Sequence, residues 1–298
     1  MPTADQKSGA CKATFLLLVL TAERKNMNSF MSWVGGKKSL RDAVLARFPP
    51  YYERYIEVFG GAGWVLFHKP PGMDFEVYND FNGNLSNLYR CVRDKPAKLK
   101  YKLRYVLDSR EDFEYLAILH KRGILPRLYD VDRAAKFYQL IRYSYASGLD
   151  SFGSQPHSMW SDFPMIDLAA RRLQKVVIEN KDFEKLIRQY DRPVSFFYCD
   201  PPYFATENYY KDVGFTAKDH IRLRDALLDI KGRFLVSYND CPEIREIWDK
   251  PNIHIEEISR LNNLAQRYDA GCQYGELLIS NYDTSERAKA IRQLSLFD

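Results

Sequence analysis

The sequence predicts an α/β protein whose core is a doubly wound, mostly parallel sheet. Short apolar segments typical of buried strands alternate with segments of helical periodicity. The first strong strand, at residues 55–59, runs directly into a glycine-rich turn and a helix, which is the opening unit of such folds. The last two strand segments, residues 254–259 and 276–282, have no helix between them and therefore predict an antiparallel pair at the sheet edge.

The remaining elements follow from the same patterns. A short amphipathic helix at residues 39–48 comes before the first strand. Helices are predicted after the glycine turn and after the second strand, and further strands follow in the second half of the chain. These segments are residues 64–68 and about 82–93 for the helices, and 75–78, 175–179, 195–199 and 234–238 for the strands.

Residues 97–165 interrupt this alternation. They contain helical stretches rich in Tyr, Arg and Lys, such as 133–145, followed by a polar, glycine-bearing loop at 147–161. We therefore predict a discontinuous core domain, residues 27–96 and 166–298, that carries residues 97–165 as a mainly helical insertion.

Composition and cysteine use exclude several classes of protein. A hydrophobic fraction of 46% over 298 residues supplies a sizeable core and excludes global disorder. The apolar run at residues 15–20 is far shorter than the ~20 residues that a membrane span requires. We expect no membrane partner, and residues 1–26 are expected to be a dispensable extension. The five cysteines are scattered without metal-ligand spacing, so no metal site is predicted and a reducing, cytoplasmic location is expected.

The balance of charge is compatible with a nucleic-acid partner. The formal net charge is +5 and the isoelectric point is about 8.8. This excess is mild, and many ordinary enzymes share it. Charge alone therefore does not identify the partner.

The turn Gly60-Gly61-Ala62-Gly63 is the first candidate site. Glycines let the backbone approach a cofactor closely at a helix N-terminus, although such turns also join strands to helices without any ligand. Asp80 lies 19 residues after Gly61, at a strand end. An acidic side chain at that distance can accept hydrogen bonds from a ribose, and the alternative role for Asp80 is to cap the following helix.

The segment VGGKKS at residues 34–39 has some features of a phosphate-binding loop. Lys37 is followed by Lys38 rather than Ser or Thr, and Met31 stands where the upstream glycine of that motif is required. A nucleotide triphosphatase is therefore disfavoured. Lys37 is either part of a basic helix start or a contact for the carboxylate of a cofactor.

The sequence Asp200-Pro201-Pro202-Tyr203 is the sharpest chemical signal. It follows the apolar strand SFFYC and so lies at the carboxyl end of a strand, where open α/β sheets place their sites. The carboxylate of Asp200 and the carbonyl of Pro201 can accept both N–H bonds of an adenine amine, which directs its lone pair at a methyl donor. Tyr203 can stack on an extruded base. The alternative is a plain strand-end turn.

Seven motifs occur together in a fixed order along the chain. They are WVGGK (33–37), EVFGGAGWVLF (57–67), YNDFN (78–82), ENKDF (179–183), CDPPYF (199–204), SYND (237–240) and YGELLISNY (274–282). This set resembles the Dam-type DNA adenine methyltransferases, especially the forms found in phages and mobile elements. The resemblance covers nearly all of residues 27–285.

The resemblance implies a fold, a reaction and a set of residues. The fold would be that of S-adenosylmethionine-dependent methyltransferases, and the reaction would methylate the N6 amine of an adenine flipped out of double-stranded DNA. The cofactor contacts implied are Trp33, Lys37, Phe59, Gly60, Gly61, Gly63, Asp80, Asp182 and Phe183. Asp80 would bind the ribose, Asp182 the cofactor's adenine amine, and Phe183 would pack on the adenine ring.

The family's other parts also correspond to positions of this chain. Asp200, Pro201, Pro202 and Tyr203 would form the catalytic turn, and residues 204–215 would close over the flipped base. The insertion at 97–165 would be the target-recognition domain. A restriction endonuclease that acts on the same site is a further partner that the resemblance implies.

The recognition sequence is not predicted. Residues 145–160, YASGLDSFGSQPHSMW, lack the asparagine- and glycine-rich reading hairpin of the GATC-methylating members. Arg133 and Arg142, on a helix of the insertion, and Arg260, in a polar loop between the edge strands, are the candidates for DNA phosphate contacts.

Two other classes of function remain as alternatives. One is a methyltransferase for cytosine N4, RNA or protein glutamine, although Asp200 favours adenine. The other is a catalytically silent DNA-binding protein, against which every reactive position is intact.

Overall fold

A computed structural model of the protein describes residues 27–206, 214–261 and 273–294. The predicted extension at residues 1–26 and residues 207–213 of the predicted closing loop lie outside these ranges. Within them, seven strands form a single sheet. The strands are β1 (Arg54–Glu57), β2 (Phe75–Asn79), β3 (Val176–Glu179), β4 (Ser195–Cys199), β5 (Arg233–Asn239), β6 (His254–Leu261) and β7 (Gln273–Ser280).

The strand order confirms the predicted fold class. The strands follow the order β3-β2-β1-β4-β5-β7-β6 across the sheet. The first five are parallel to one another, whereas β7 runs antiparallel to both β5 and β6. The chain turns from one half of the sheet to the other between β1 and β4. Open α/β sheets bind ligands at such a switch point, beyond the carboxyl ends of the strands.

Eleven α-helices lie within the described part of the chain. They are α1 (Arg41–Ala46), α2 (Trp64–His68), α3 (Gly83–Asp94), α4 (Pro96–Leu103), α5 (Arg110–Lys121), α6 (Asp130–Tyr143), α7 (Phe163–Leu173), α8 (Phe183–Tyr190), α9 (Ala217–Leu228), α10 (Pro242–Trp248) and α11 (Glu286–Leu294). Helix α1 is shorter than the predicted 39–48, and the other predicted helices agree within three residues at either end.

Two apolar cores cover the two faces of the sheet. Successive residues of a strand point to opposite faces. On β4, Phe196 and Tyr198 belong to one core, while Phe197 and Cys199 belong to the other. The strands are therefore buried on both sides, which explains why they read as continuous apolar runs rather than as alternating ones.

The predicted insertion contains only helices and loops among its structured elements. Its helices α4, α5 and α6 contribute to the same core as one face of the sheet, through residues such as Leu99, Phe113 and Phe137. Helix α6 packs on α3 of the core domain. The mainly helical character agrees with the sequence, but the packing is continuous with the sheet, and a separate recognition domain remains a prediction.

One predicted position is wrong, because Arg260 does not lie in a loop between the edge strands. Pairing of β6 with β7 continues to the partners Arg260↔Tyr274 and Leu261↔Gln273, so Arg260 belongs to strand β6. The sequence RLNN gave no apolar alternation there by which to extend the strand. No helix in the described ranges is both long and apolar enough to cross a membrane.

Candidate active site

A cavity of about 600 Å³ opens beside the carboxyl ends of strands β1, β2 and β4. Most residues that the sequence assigns to a cofactor border it. These are Trp33, Lys37, Phe59, Gly60, Gly61, Asp80, Asp182 and Phe183, together with Asp200 and Pro202 of the predicted catalytic turn. Gly63, Pro201 and Tyr203 are not among the residues that line it.

The glycine turn is tightly packed, and glycine is required in it. A Cβ atom at Gly60 would approach the ring of Tyr78 to 2.2 Å, so no other residue fits without displacing that ring. Gly61 and Gly63 have φ angles of 50° and 64°, in the left-handed region that favours glycine. Gly63 therefore shapes the turn and precedes α2 rather than bordering the cavity.

Asp80 holds the glycine turn in place. Its Oδ2 accepts a hydrogen bond from the amide of Gly61 at 2.9 Å, and its Oδ1 accepts one from the amide of Asn82 at 2.8 Å. Burial raises the pKa of Asp80 to about 6, against these two backbone bonds, which lower it. The N-cap role that we considered for Asp80 belongs to Asn82, whose side chain accepts bonds from the first amides of α3.

The catalytic-turn carboxylate of Asp200 is paired with Lys37. The Nζ atom of Lys37 lies 2.5 Å from Oδ1 of Asp200, and their side chains are only 5% and 19% exposed. The hydroxyl of Ser237, on the neighbouring strand β5, donates to the same oxygen at 3.1 Å. The ammonium of Lys37 also lies 4.4 Å from the centre of the Tyr203 ring. Lys37 thus joins the predicted cofactor segment to the catalytic turn.

A second carboxyl group, Glu57, is buried at the end of β1. The hydroxyl of Tyr55 donates to its Oε2 at 2.6 Å. Burial is the largest of the effects that raise the pKa of Glu57 to about 8; the hydrogen bond from Tyr55 lowers this pKa, and the charge of Asp200 contributes to the rise. Glu57 is therefore mainly protonated at neutral pH. A protonated Glu57 adds no negative charge next to Asp200, so Asp200 can remain ionised.

Tyr203 is half-buried beside the carboxylate of Asp200. Its hydroxyl donates to Oε2 of Glu276, on strand β7. Burial raises the pKa of Tyr203 well above its usual value, and the charges of Asp200 and Glu276 act in the same direction. The phenol is therefore neutral over the physiological range, and its bond to Glu276 fixes the orientation of the ring.

At the far end of the cavity, Asp182 and Phe183 open helix α8. Oδ1 of Asp182 accepts bonds from the amides of Glu184 and Lys185, so this carboxylate caps the helix. Its Oδ2 is 2.6 Å from the guanidinium of Arg222, which also lies 4.2 Å from the centre of the Phe183 ring. Arg222 of helix α9 therefore contacts both residues that the sequence assigns to a purine.

The three arginines predicted to contact DNA have different surroundings. Arg133 donates to the side chain of Asn84 at 2.8 Å, and burial lowers its pKa. Arg142 is paired with Asp162 at 3.0 Å. Arg260 lies in β6, and its side chain is outside the described part of the structure. Their contacts with DNA stay predictions.

Several site residues were missed in the sequence, although most lie within the motifs quoted above. Glu57, Ser237 and Glu276 each stand inside one of those motifs, and a polar side chain at an inward-facing strand position was the signal that could have identified them. Ser147 and the following residues of the insertion also border the cavity. No sequence pattern indicated that contact.

Comparison with known proteins decides the family. Residues 33–263 match the family of D12 class N6 adenine-specific DNA methyltransferases. The chain belongs to that family. Its family is that of enzymes that methylate adenine N6 in DNA, which favours this activity over the alternative of a catalytically silent DNA-binding protein.

Individual relatives of this methyltransferase carry names that agree with the family. It is 29% identical to the type II methyltransferase M1.LlaDCHI of Lactococcus lactis subsp. cremoris, over 89% of this chain and 99% of the relative. It is 26% identical to the DNA adenine methylase of Escherichia coli K12, over 79% of this chain and 89% of the relative. The Vibrio cholerae DNA adenine methylase is 27% identical over a similar share of both chains.

Proposed function

We propose that this methyltransferase uses S-adenosylmethionine to methylate the N6 amine of an adenine extruded from double-stranded DNA. The observation that carries the proposal is the position of Asp200. Its carboxylate stands at the switch point of the sheet, at the wall of the cavity, and is held by Lys37 and Ser237. It can therefore face a cofactor in the cavity and a base that enters from outside.

The chemistry of the cavity walls fits S-adenosylmethionine. Its volume of about 600 Å³ is typical of small-molecule sites, which range over about 300–1,000 Å³. The missing side chains of Gly60 and Gly61 let the turn pack against Tyr78 and Trp33, and both glycines line the cavity, where their backbone can meet the amino-acid end of a ligand. Lys37 is a cation for the carboxylate of that ligand. Asp80 offers acceptors for ribose hydroxyls, and the ring of Phe183 offers an apolar face for a purine.

Each residue of the catalytic turn then has a defined task. The bound cofactor supplies an electrophilic methyl group. Asp200 and the carbonyl of Pro201 accept the two N–H bonds of the target amine, which orients its lone pair and stabilises the positive charge that develops on nitrogen. Tyr203 packs against the flipped base, since its ring orientation is fixed by Glu276.

Protein groups also set the charge at this turn. Lys37 neutralises Asp200 while no base is present, so the carboxylate is not left buried without a partner. A protonated Glu57 keeps a second negative charge away from Asp200. Lys37 would also be the residue to hold the carboxylate of the cofactor, and Asp200 would then keep an oxygen for the amine.

Labelled methyl transfer tests the proposal directly. Purified protein is incubated with S-adenosylmethionine carrying a labelled methyl group and with duplex DNA, and the nucleosides are then separated. Label on N6-methyladenine supports the proposal, whereas label on cytosine contradicts the substrate. Long-read sequencing of DNA from cells that express the protein gives the methylated motif in the same series.

The partners and the location are part of the same proposal. A relative matched over 99% of its length is named a type II methyltransferase, which supports a role beside a restriction endonuclease of the same specificity. We propose that the protein works on DNA in the cytoplasm. Resistance of the modified DNA to one endonuclease encoded beside this protein, and to no other, would support the pairing. Cleavage of fully modified DNA by that nuclease would contradict it.

A further inference from the structure

The loop that follows helix α6 has a strained backbone. Three of its residues, Ala146, Ser147 and Leu149, have φ angles of 49°, 58° and 64°, and none of them is glycine. L-residues adopt this region reluctantly, and such strain persists only where the surroundings over-determine the conformation. Two short backbone hydrogen bonds hold the loop in this conformation. Tyr145 donates to the carbonyl of Ser151, and Gly153 to that of Tyr143, both at 2.6 Å.

The strained loop borders the cofactor cavity. Residues 147 to 150 are among those that line it. The hydroxyl of Ser147 lies 2.7 Å from that of Ser32, one residue before the predicted cofactor contact Trp33. The polar loop of the insertion is therefore also a wall of the site in which the methyl donor is proposed to bind.

The same loop presents aromatic side chains to solvent at both ends. Tyr145 is 58% exposed and Trp160 is 55% exposed. Residues 154–156 and Ser158 between them are exposed as well. Exposed aromatic and polar side chains on one loop are suited to contacts with bases. This segment is also the one in which the sequence departs from the reading hairpin of the GATC-methylating members.

A buried ionic cluster holds the far end of the loop. Asp162 accepts hydrogen bonds from Arg142 at 3.0 Å and from the hydroxyl of Tyr138 at 2.9 Å. His157, inside the loop, lies 2.9 Å from the same carboxylate, and its backbone amide donates to Asp108. Arg142 is thus occupied by partners from its own chain, and it connects helix α6 to the loop and to the start of α7.

We propose that Arg142 and Asp162 are positioning residues, which hold residues 145–160 in the single conformation that completes the cofactor cavity and presents the target-reading side chains to DNA. This inference rests on the proposed function. It replaces a phosphate contact as the role of Arg142. Because one loop serves both ligands, fixing it in advance strengthens the binding of both, whereas a loosened loop would be ordered by whichever ligand binds first, to the benefit of the second.

Substitutions of opposite charge separate this role from a phosphate contact. Arg142→Gln removes a positive charge and Asp162→Asn removes a negative one, yet both break the same anchor. If they are positioning residues, both variants lose discrimination between a duplex with the methylated motif and one with a single changed base pair. A phosphate contact predicts that Arg142→Gln lowers the salt slope by about 0.9 and that Asp162→Asn does not weaken binding.

The experiment measures three quantities on the full-length protein. These are the Kd for S-adenosylmethionine with and without cognate DNA, the ratio of Kd values for the two duplexes, and the slope of log K against log salt. We expect each variant to bind S-adenosylmethionine alone about fivefold or more weakly than the parent, to recover part of that loss when cognate DNA is present, and to keep an unchanged salt slope. Arg142→Lys keeps the charge but not the forked geometry, so it should fail as Arg142→Gln does.

Controls make a loss of folding distinguishable from a loss of positioning. Asp167→Asn, in helix α7, removes an acid from a surface pair with Lys100 and should change none of the three quantities. Ser32→Ala leaves the buried cluster intact and removes only the bond to Ser147. It should weaken cofactor binding, less so when cognate DNA is present, with normal thermal unfolding.

Three results would overturn the inference. They are rescue by Arg142→Lys, a flattened salt slope in Arg142→Gln with normal specificity in Asp162→Asn, and a Ser32→Ala protein that binds S-adenosylmethionine as tightly as the parent does. A parent protein that binds no S-adenosylmethionine would instead contradict the proposed function. The two failures are therefore distinguishable.

Discussion

Replacing Asp200 by asparagine should abolish catalysis and also destabilise the fold. The amide keeps one acceptor oxygen but presents N–H groups in place of the other, which repel the hydrogens of the target amine. Loss of one preorganised group that stabilises a transition state typically costs about 10²–10³ in kcat, or roughly 3–4 kcal/mol. We therefore expect turnover to fall by at least that factor.

The cost in stability follows from the partner of Asp200. Lys37 is 5% exposed and lies 2.5 Å from the carboxylate, so Asp200→Asn leaves a buried ammonium without its counter-ion. Breaking a buried pair in this way costs about 3–5 kcal/mol. The lower end applies, because Asp200 is partly exposed and Tyr203 still faces the ammonium. A loss of ~3 kcal/mol corresponds to a fall in Tm of roughly 6–12 °C.

Single-turnover transfer of labelled methyl groups and thermal unfolding measure the two effects. The double variant Lys37→Met/Asp200→Asn removes both charges and should regain much of the lost Tm while it stays inactive. Asp225→Asn, which removes an acid from a surface pair with Arg224, is the matched control and should change neither quantity. Near-normal turnover in Asp200→Asn would refute the assigned role of the carboxylate. An unchanged Tm would refute the importance of the pair.

Five further variants, at three positions, test the surroundings of this turn. Tyr203→Phe loses only the bond to Glu276 and should keep much of the activity. Tyr203→Ala should lose roughly 1–3 kcal/mol of base stacking, measured as DNA affinity. Equal losses of DNA affinity in the two variants would argue against stacking. Asp80→Ala should weaken cofactor binding, measured by calorimetry. Asp80→Asn should keep part of the cofactor affinity, because its side-chain oxygen can still accept the bond from Gly61. An unchanged cofactor affinity in Asp80→Ala would contradict the role of Asp80 in binding the ribose. The folded-state pKa of Glu57 is raised to about 8, so its stabilising contribution is full below pH 4.5 and is lost as pH rises to about 8. The free energy of unfolding of Glu57→Gln should therefore rise relative to that of the parent protein over that interval, by a few kcal/mol at most. Denaturant unfolding at several pH values measures this difference. If the unfolding free energies of the two proteins change with pH in parallel, Glu57 is ionised in the folded protein.

Much of the site was accessible from the sequence because its chemistry is local. The glycine turn, Asp80 and the turn at 200–203 each follow a strand directly, and parallel strands bring their carboxyl ends to one edge of the sheet. The alternation of strands and helices therefore predicted both the fold class and the edge at which these residues meet. The antiparallel pair at the end of the chain was predicted for the same reason, since no helix separates its strands.

What the sequence did not determine are contacts between segments that are distant in the chain. Asp200 meets Ser237 because β4 and β5 are neighbours in the sheet. It also pairs with Lys37 of the N-terminal segment, and Tyr203 contacts Glu276 of β7, which lies next to β5. The burial of Glu57 likewise arises only when β1 is placed between β2 and β4, and its raised pKa follows from that burial.

The contrast is sharpest at Arg142. Its sequence context, a basic residue on a helix with several aromatic residues, indicated a phosphate contact. The fold brings Asp162 and His157 to it, contacts that the sequence did not indicate. A sequence shows which residues carry a charge but not what surrounds that charge in the folded protein. Periodicity and turn chemistry act over a few residues and so determined the elements and their order. Burial and pairing of charges depend on neighbours from elsewhere in the chain, so only the tertiary structure decided them.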